Sequence, residues 1–199
     1  MYLCPYDISW LLAQRYNTAY TGISEKEMDL RNVMRSLWEQ HIAWTRMTLI
    51  SIIKDLPDVD FVTNRLLRNP IDFERVLEVF YGYEIASQFS DLFKSHLVIA
   101  AQLVKAAKAG DNKGSADAEK RWYANADEIA LFLSRINPYW SQENWKTMLY
   151  EHLRMTKSET VNILTNNYEE SITEYDEIEM QALKMADVMA EGIVKQFLY

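Results

Sequence analysis

Three histidines occur in the chain, and two of them fall where a helical bundle calls for apolar residues. His41 continues the series Leu30, Met34, Leu37, Trp44 and Thr48, and His96 continues Ile85, Phe89, Leu92, Ala100, Leu103 and Ala107. Both series step by three and four residues, the spacing of one helix face, so both imidazoles are expected to point inward. Asp176 and Glu179 interrupt a third series made of Ile172, Leu183, Ala186, Ala190 and Ile193. In a fourth, Asn125 and Glu128 share a face with Trp122, Ile129 and Phe132. Counted from the loops between antiparallel helices, His41, His96 and Glu128 lie at similar heights, with Glu179 near mid-bundle.

Imidazoles and carboxylates converging between helices form a reasonable ligand set for zinc, iron or manganese. His41, His96, Glu128 and Glu179 are the expected ligands of such a divalent metal, with Asn125 and Asp176 as further candidates. The same residues have a second use. A buried polar group left without a partner costs roughly 2–7 kcal/mol, so they could satisfy one another in a hydrogen-bond network and bind nothing. No Glu-x-x-His occurs, which argues against a standard di-iron carboxylate centre, since that site uses two. His152, in Tyr150-Glu151-His152-Leu153, reads as a packing or surface histidine, and Glu39 and Arg46 as solvated or salt-bridged groups beside the His41 face. Two functional classes follow. One is a metal- or small-ligand-binding bundle, of which a redox or hydrolytic enzyme is a sub-case; the other is a structural or interaction bundle whose core polar groups only bond each other.

The elements that must position these residues are all helical. Ile8, Leu11, Leu12 and Tyr16 mark a short docking helix within residues 1–23, and Ser24 with Glu27 fits a capping box for the next helix. A long helix is then expected from about Met28 until Pro57 stops the run, followed by two short helices, one before Asn69-Pro70 and one from about Asp72 to Tyr81 with Gly82 as its cap. A second long helix ends at the loop Gly110–Gly114. The later part reads as a repeat of this plan: a long helix from about Ser115 to a stop at Asn137-Pro138, short helices over 142–153 and 157–166, then a long helix to the end. The expected fold is therefore an all-α antiparallel bundle of four long helices with short connecting helices, in ferritin-like style. It forms one domain over 1–199, with units 24–110 and 115–199 related by a degenerate duplication of period roughly 84 residues.

Composition sets the outer limits. The 199 residues are 49% hydrophobic and 25% charged, the balance of a globular chain, with only five Gly and four Pro. That leaves little material for a many-turned sheet or a Gly-rich phosphate loop, so no nucleotide is expected. A net charge of −8 without a Lys/Arg cluster speaks against nucleic acid. Charged residues interrupt every apolar stretch before the roughly 20 residues a membrane span needs. One cysteine, Cys4, and a start without a basic region and long apolar run point to the cytoplasm. Neither Cys4 nor a Gly-x-Ser-x-Gly elbow supports nucleophilic catalysis. A homodimer is compatible with this composition.

Four segments carry a resemblance: Trp38-Glu39-Gln40-His41-Ile42-Ala43-Trp44-Thr45-Arg46, Arg65-Leu66-Leu67-Arg68-Asn69-Pro70, Arg121-Trp122-Tyr123-Ala124-Asn125-Ala126-Asp127-Glu128-Ile129, and Gly192-Ile193-Val194-Lys195-Gln196-Phe197. Through them most of the chain resembles an uncharacterised helical family of spore-forming Gram-positive bacteria. Members of that family often carry the label acetylglutamate kinase. The chain lacks the glycine-rich turns and alternating strands and helices that such a kinase requires. The resemblance implies a helical fold and assigns no site residue.

Overall fold

The computed structural model describes residues 22–198, so the expected docking helix lies almost wholly outside the described residues. Seven helices follow one another: α1 (Glu25–Ile53), α2 (Val59–Leu66), α3 (Asn69–Tyr81), α4 (Tyr83–Lys108), α5 (Asn112–Ile136), α6 (Gln142–Leu164) and α7 (Tyr168–Phe197). No strand occurs among the described residues. The fold is an all-α bundle.

Local chemistry sets most of the helix ends. At α1 the Ser24 hydroxyl accepts the Glu27 backbone N–H at 3.2 Å, and Glu25 and Glu27 place negative charge at the positive end of the helix dipole. Asp55 (φ 53°) and Gly82 (φ 77°) turn the chain after α1 and α3, the glycine at no steric cost. Pro70 sits in the first turn of α3, where its missing N–H would have no partner anyway. Asp111 accepts from the Gly114 N–H at 2.9 Å, so α5 starts at Asn112, three residues earlier than the sequence pattern places it.

One element differs more. Residues 142–164 form a single helix of 23 residues in place of two short ones. Residues 154–156, between the two expected helices, include no Gly or Pro, and Met155 and Thr156 are buried. The inward stripe therefore continues unbroken from Trp145 to Ile163. The bundle has five long helices, and the long-short-short-long order appears only in the first half.

Helix α1 packs on α7, α7 on α6, α6 on α5, α5 on α4, and α4 on α3. Arg35 of α1 meets Asp187 late in α7 at 2.5 Å, while Arg46 meets Ser171 early in α7, so these two helices run antiparallel. The main core gathers Trp38, Phe73, Phe89, Phe93, Trp122, Trp140 and Trp145 with Met34, Met185 and Met189. A smaller cluster of Leu49, Ile52, Ile53, Val104 and Ile163 closes the end where α1 and α4 finish. Among the described residues no helix is long and apolar enough to cross a membrane.

Candidate functional site

All three histidines are buried, at 2% exposure for His41 and His96 and 3% for His152. His96 is held by two neighbours on α5. The Trp122 indole N–H, which can only donate, donates to Nε2 at 3.1 Å, and Nδ1 lies 2.9 Å from Asn125 Oδ1. The His96 proton therefore sits on Nδ1 and is donated to Asn125. The Asn125 amide in turn donates to the Leu92 carbonyl at 3.1 Å, closing the network. Burial, with the charge of His152 adding to it and the Asn125 bond opposing it, pulls His96 down to about 3. It is a neutral imidazole at every physiological pH.

His41 meets His152, not His96. Their ring centroids lie 5.6 Å apart, and the Phe93 ring stands between His41 and His96 at 4.9 and 6.2 Å. Burial, then the charges of His152 and His96, holds His41 well below the usual imidazole range, and burial takes His152 to about 4. Nδ1 of both rings and the indole N–H groups of Trp38 and Trp145 have no hydrogen-bond partner in the protein. The Gln181 carboxamide works against the His152 shift. Its Oε1 nonetheless makes no hydrogen bond of normal geometry, whereas its Nε2 donates to the Met148 carbonyl at 2.7 Å.

The carboxylates do not join the imidazoles. Glu128 and Asp176 are exposed, and Glu179 is half-buried against Glu39, whose carboxyl is raised by burial and then by the charge and hydrogen bond of Glu179. In the first half of α7 the inward stripe runs Ser171, Ile178 and Ala182, one residue out of step with Ile172, Glu179 and Leu183, whereas Ala186, Ala190 and Ile193 further along are buried as expected. One residue is about 100° of helix rotation, enough to carry Asp176 to solvent and Glu179 to the bundle edge. On α5 the inward face is Trp122, Asn125, Ala126, Ile129, Ala130 and Leu133, and Glu128 falls outside it. Among the described residues no three of His, Cys, Asp and Glu are placed to hold one metal ion. Of the six expected site residues, His41, His96 and Asn125 are in the core, Glu179 is at its edge, and Glu128 and Asp176 are outside.

A second buried polar group escapes the sequence pattern. Arg46 donates to the carboxylate of Glu159, which is only 2% exposed, and to the carbonyl and hydroxyl of Ser171, each at 3.1 Å. Its guanidinium also lies over the Tyr175 ring, 5.0 Å from the centroid. Burial outweighs the attraction of Arg46 and raises Glu159 to about 7. Glu159 lies seven residues beyond His152, two turns along the same face of α6. That spacing was the available signal, hidden because a helix break was expected between them.

Next to these groups is a cavity of about 250 Å³ between α1, α4, α5 and α6. Leu49, Ala100, Leu103, Val104, Ala107, Ala116, Trp122 and Val161 give it mostly apolar walls, and the small alanines leave the space unfilled. Thr45, Thr156 and Thr160 also line it. Two of these threonines return their hydroxyl to their own helix, Thr156 to the His152 carbonyl and Thr160 to the Thr156 carbonyl, both at 2.8 Å. Thr45 Oγ1 is buried and has no partner. Lys157 and Glu119, paired at 2.6 Å and both partly exposed, stand where the cavity meets solvent, alongside Asn112 and Ser115. The Trp122 indole that bonds His96 is thus also a wall of this cavity. A larger depression of about 510 Å³ lies between the α1–α2 turn and the end of α4, where Lys108 is already tied to Asp55 at 2.5 Å and to the Ile52 carbonyl at 2.7 Å.

Comparison with family models, with curated proteins and with solved structures gives no match to this chain, so its own side chains carry the functional argument.

Proposed function

We propose that this chain is a small-ligand-binding helical bundle whose site is the cavity between α1, α4, α5 and α6. The observation that carries the reading is a recess of about 250 Å³ with mostly apolar walls, in a bundle whose neighbouring core is otherwise densely packed with aromatic rings. Protein interiors close to near-crystalline density, so a void of this size forfeits contacts unless something occupies it. Cavities between the helices of bundles are a common place for ligands.

The structural reading keeps one specific support, the closed network of His96, Asn125 and Trp122. That network also weakens the metal reading of the same core, because coordination at His96 would have to break one of two hydrogen bonds. The test is methyl NMR on the full chain during titration with toluene. Saturable shifts at Leu49, Leu103, Val104 and Val161, lost in Ala100→Leu, are the expected result. No saturable shift at those methyls would leave the structural reading in possession.

A further inference from the structure

Resting on that reading, we infer that the occupant is a single-headed amphiphile, an elongated hydrocarbon body that lies along α5 and leaves one uncharged polar group at the rim beside Lys157 and Glu119. Size and shape come first. Apolar cavities of ~150 Å³ take benzene, so about 250 Å³ accommodates roughly ten non-hydrogen atoms. Asn112, Ser115, Glu119 and Trp122 line the cavity from one face of α5, a span of about 15 Å at 1.5 Å rise per residue. Gln102 meets Arg121 and His96 meets Asn125, both at 2.9 Å, so α4 and α5 run antiparallel, with Ala100 level with Trp122 and Ala107 level with Ser115. The space is drawn out along these two helices, from the buried Trp122 to the exposed start of α5.

The inner walls have no donor to give. The Trp122 N–H goes to His96, and the Thr156 and Thr160 hydroxyls donate to carbonyls of their own helix. The Thr45 hydroxyl oxygen is covered by protein and turns no surface to the cavity. Leu49, Ala100, Leu103 and Val104 supply the rest of this end. An acceptor carried into it would lose its water and gain no partner, a penalty that a methylene escapes.

Polar partners begin at the rim. Asn112, Ser115, Glu119 and Lys157 stand where the cavity meets solvent, so the one polar group of the occupant belongs there. Lys157 and Glu119 already neutralise each other at 2.6 Å. A charged head beside them would give up hydration without finding an unmatched countercharge, and an uncharged head avoids that cost.

The experiment is calorimetric titration of the full chain with butan-1-ol, hexan-1-ol and octan-1-ol, and with four relatives of the last. These are octanoate, octylammonium, cyclooctanol, and 6-methoxyhexan-1-ol, which replaces the innermost methylene by an acceptor oxygen. Affinity for one site is expected to rise about fourfold per methylene along the alcohols, the worth of a methylene taken from water. The methoxy relative should bind at least about tenfold more weakly than octan-1-ol, and cyclooctanol and both ions should also bind more weakly than octan-1-ol. Glu119→Gln, which removes the countercharge of Lys157, should improve octanoate about three- to fivefold at low salt and leave octan-1-ol unchanged. Equal affinity for octan-1-ol and its methoxy relative overturns the donor-free inner wall, and tighter binding of cyclooctanol overturns the elongated shape. Octanoate binding indifferent to Glu119→Gln overturns the placement of the head at the rim, and wild-type protein that prefers either ion to octan-1-ol overturns the uncharged head. Each of these results leaves the cavity as the site. Binding of no probe, or octan-1-ol binding indifferent to Ala100→Leu in a variant shown folded by circular dichroism, overturns the cavity reading itself.

Discussion

Lowering the pH from about 7.5 to about 5 should destabilise this protein, and by an amount that its buried imidazoles set. In the unfolded chain each histidine titrates at the ordinary value of about 6.5. In the folded chain His96 titrates at about 3 and His152 at about 4, because the core offers no water to the imidazolium. Between those values and 6.5 the unfolded chain holds protons that the folded chain does not, so stability falls as pH falls. At pH 5 the unfolded state has gained about 1.5 pH units on each of the two groups, or about 2 kcal/mol apiece at about 1.36 kcal/mol per unit. Glu159 acts the other way. Its folded value is raised to about 7, so its carboxyl costs stability above that pH, and acidification to 5 returns about 2 kcal/mol. The net change is a loss of about 2 kcal/mol before His41 is counted, and His41, also depressed by burial, adds to the loss. Against a typical total of about 5–15 kcal/mol this is readily measured by urea unfolding at the two pH values. Unchanged or higher stability at pH 5 would refute the reasoning, as would any of the three imidazoles titrating near 6.5 in NMR spectra of the folded chain.

Three substitutions probe the surroundings. Gly192→Ala should destabilise by about 1–3 kcal/mol in thermal melts despite the better helix propensity of alanine, because a Cβ there would overlap the Trp140 indole, itself buried and bonded to the Val188 carbonyl at 3.2 Å; a neutral effect would show the indole free to shift. Arg46→Met strands Glu159 and should cost about 3 kcal/mol in urea unfolding at pH 8. The loss should shrink at pH 6, where the carboxyl takes up a proton, so a pH-independent loss would contradict the value near 7. Asn125→Leu removes the acceptor of the His96 proton and should cost about 1–3 kcal/mol for the unmet group alone, read by denaturant midpoint.

The parts of the fold legible in the sequence are those decided locally. Pro57, Gly82, Gly110 and Pro138 stop helices through φ and hydrogen-bond constraints that act within a residue or two, and the chain turns at each of them. The inward phase of α1 and α4, and that of α5 at Trp122, Asn125 and Ile129, is legible for the same kind of reason, since His41, His96 and Asn125 sit among apolar neighbours, while Glu128 on α5 turns outward. The phase of early α7 is not. Ser171 is buried and Ile172 is 49% exposed because Arg46 of α1 reaches the Ser171 carbonyl and hydroxyl, a tertiary contact that no periodicity within α7 reports. His152 is obscured in the sequence for a related reason, because a break expected after Leu153 conceals the stripe that continues through Thr156 and Glu159. The cavity is invisible to a linear reading altogether, being volume left between four helices by alanines that look like ordinary helix formers.

A crystal of the full chain under xenon pressure addresses the ligand cavity most directly, since apolar cavities of comparable size take up xenon while polar or filled ones do not. The account predicts one strong xenon peak enclosed by Leu49, Leu103, Val104 and Trp122, with Val161, Lys157 and Glu119 at its edge and the His96 network undisturbed. A diffraction map with those side chains collapsed into the space, or with xenon bound elsewhere and none at this position, would contradict it.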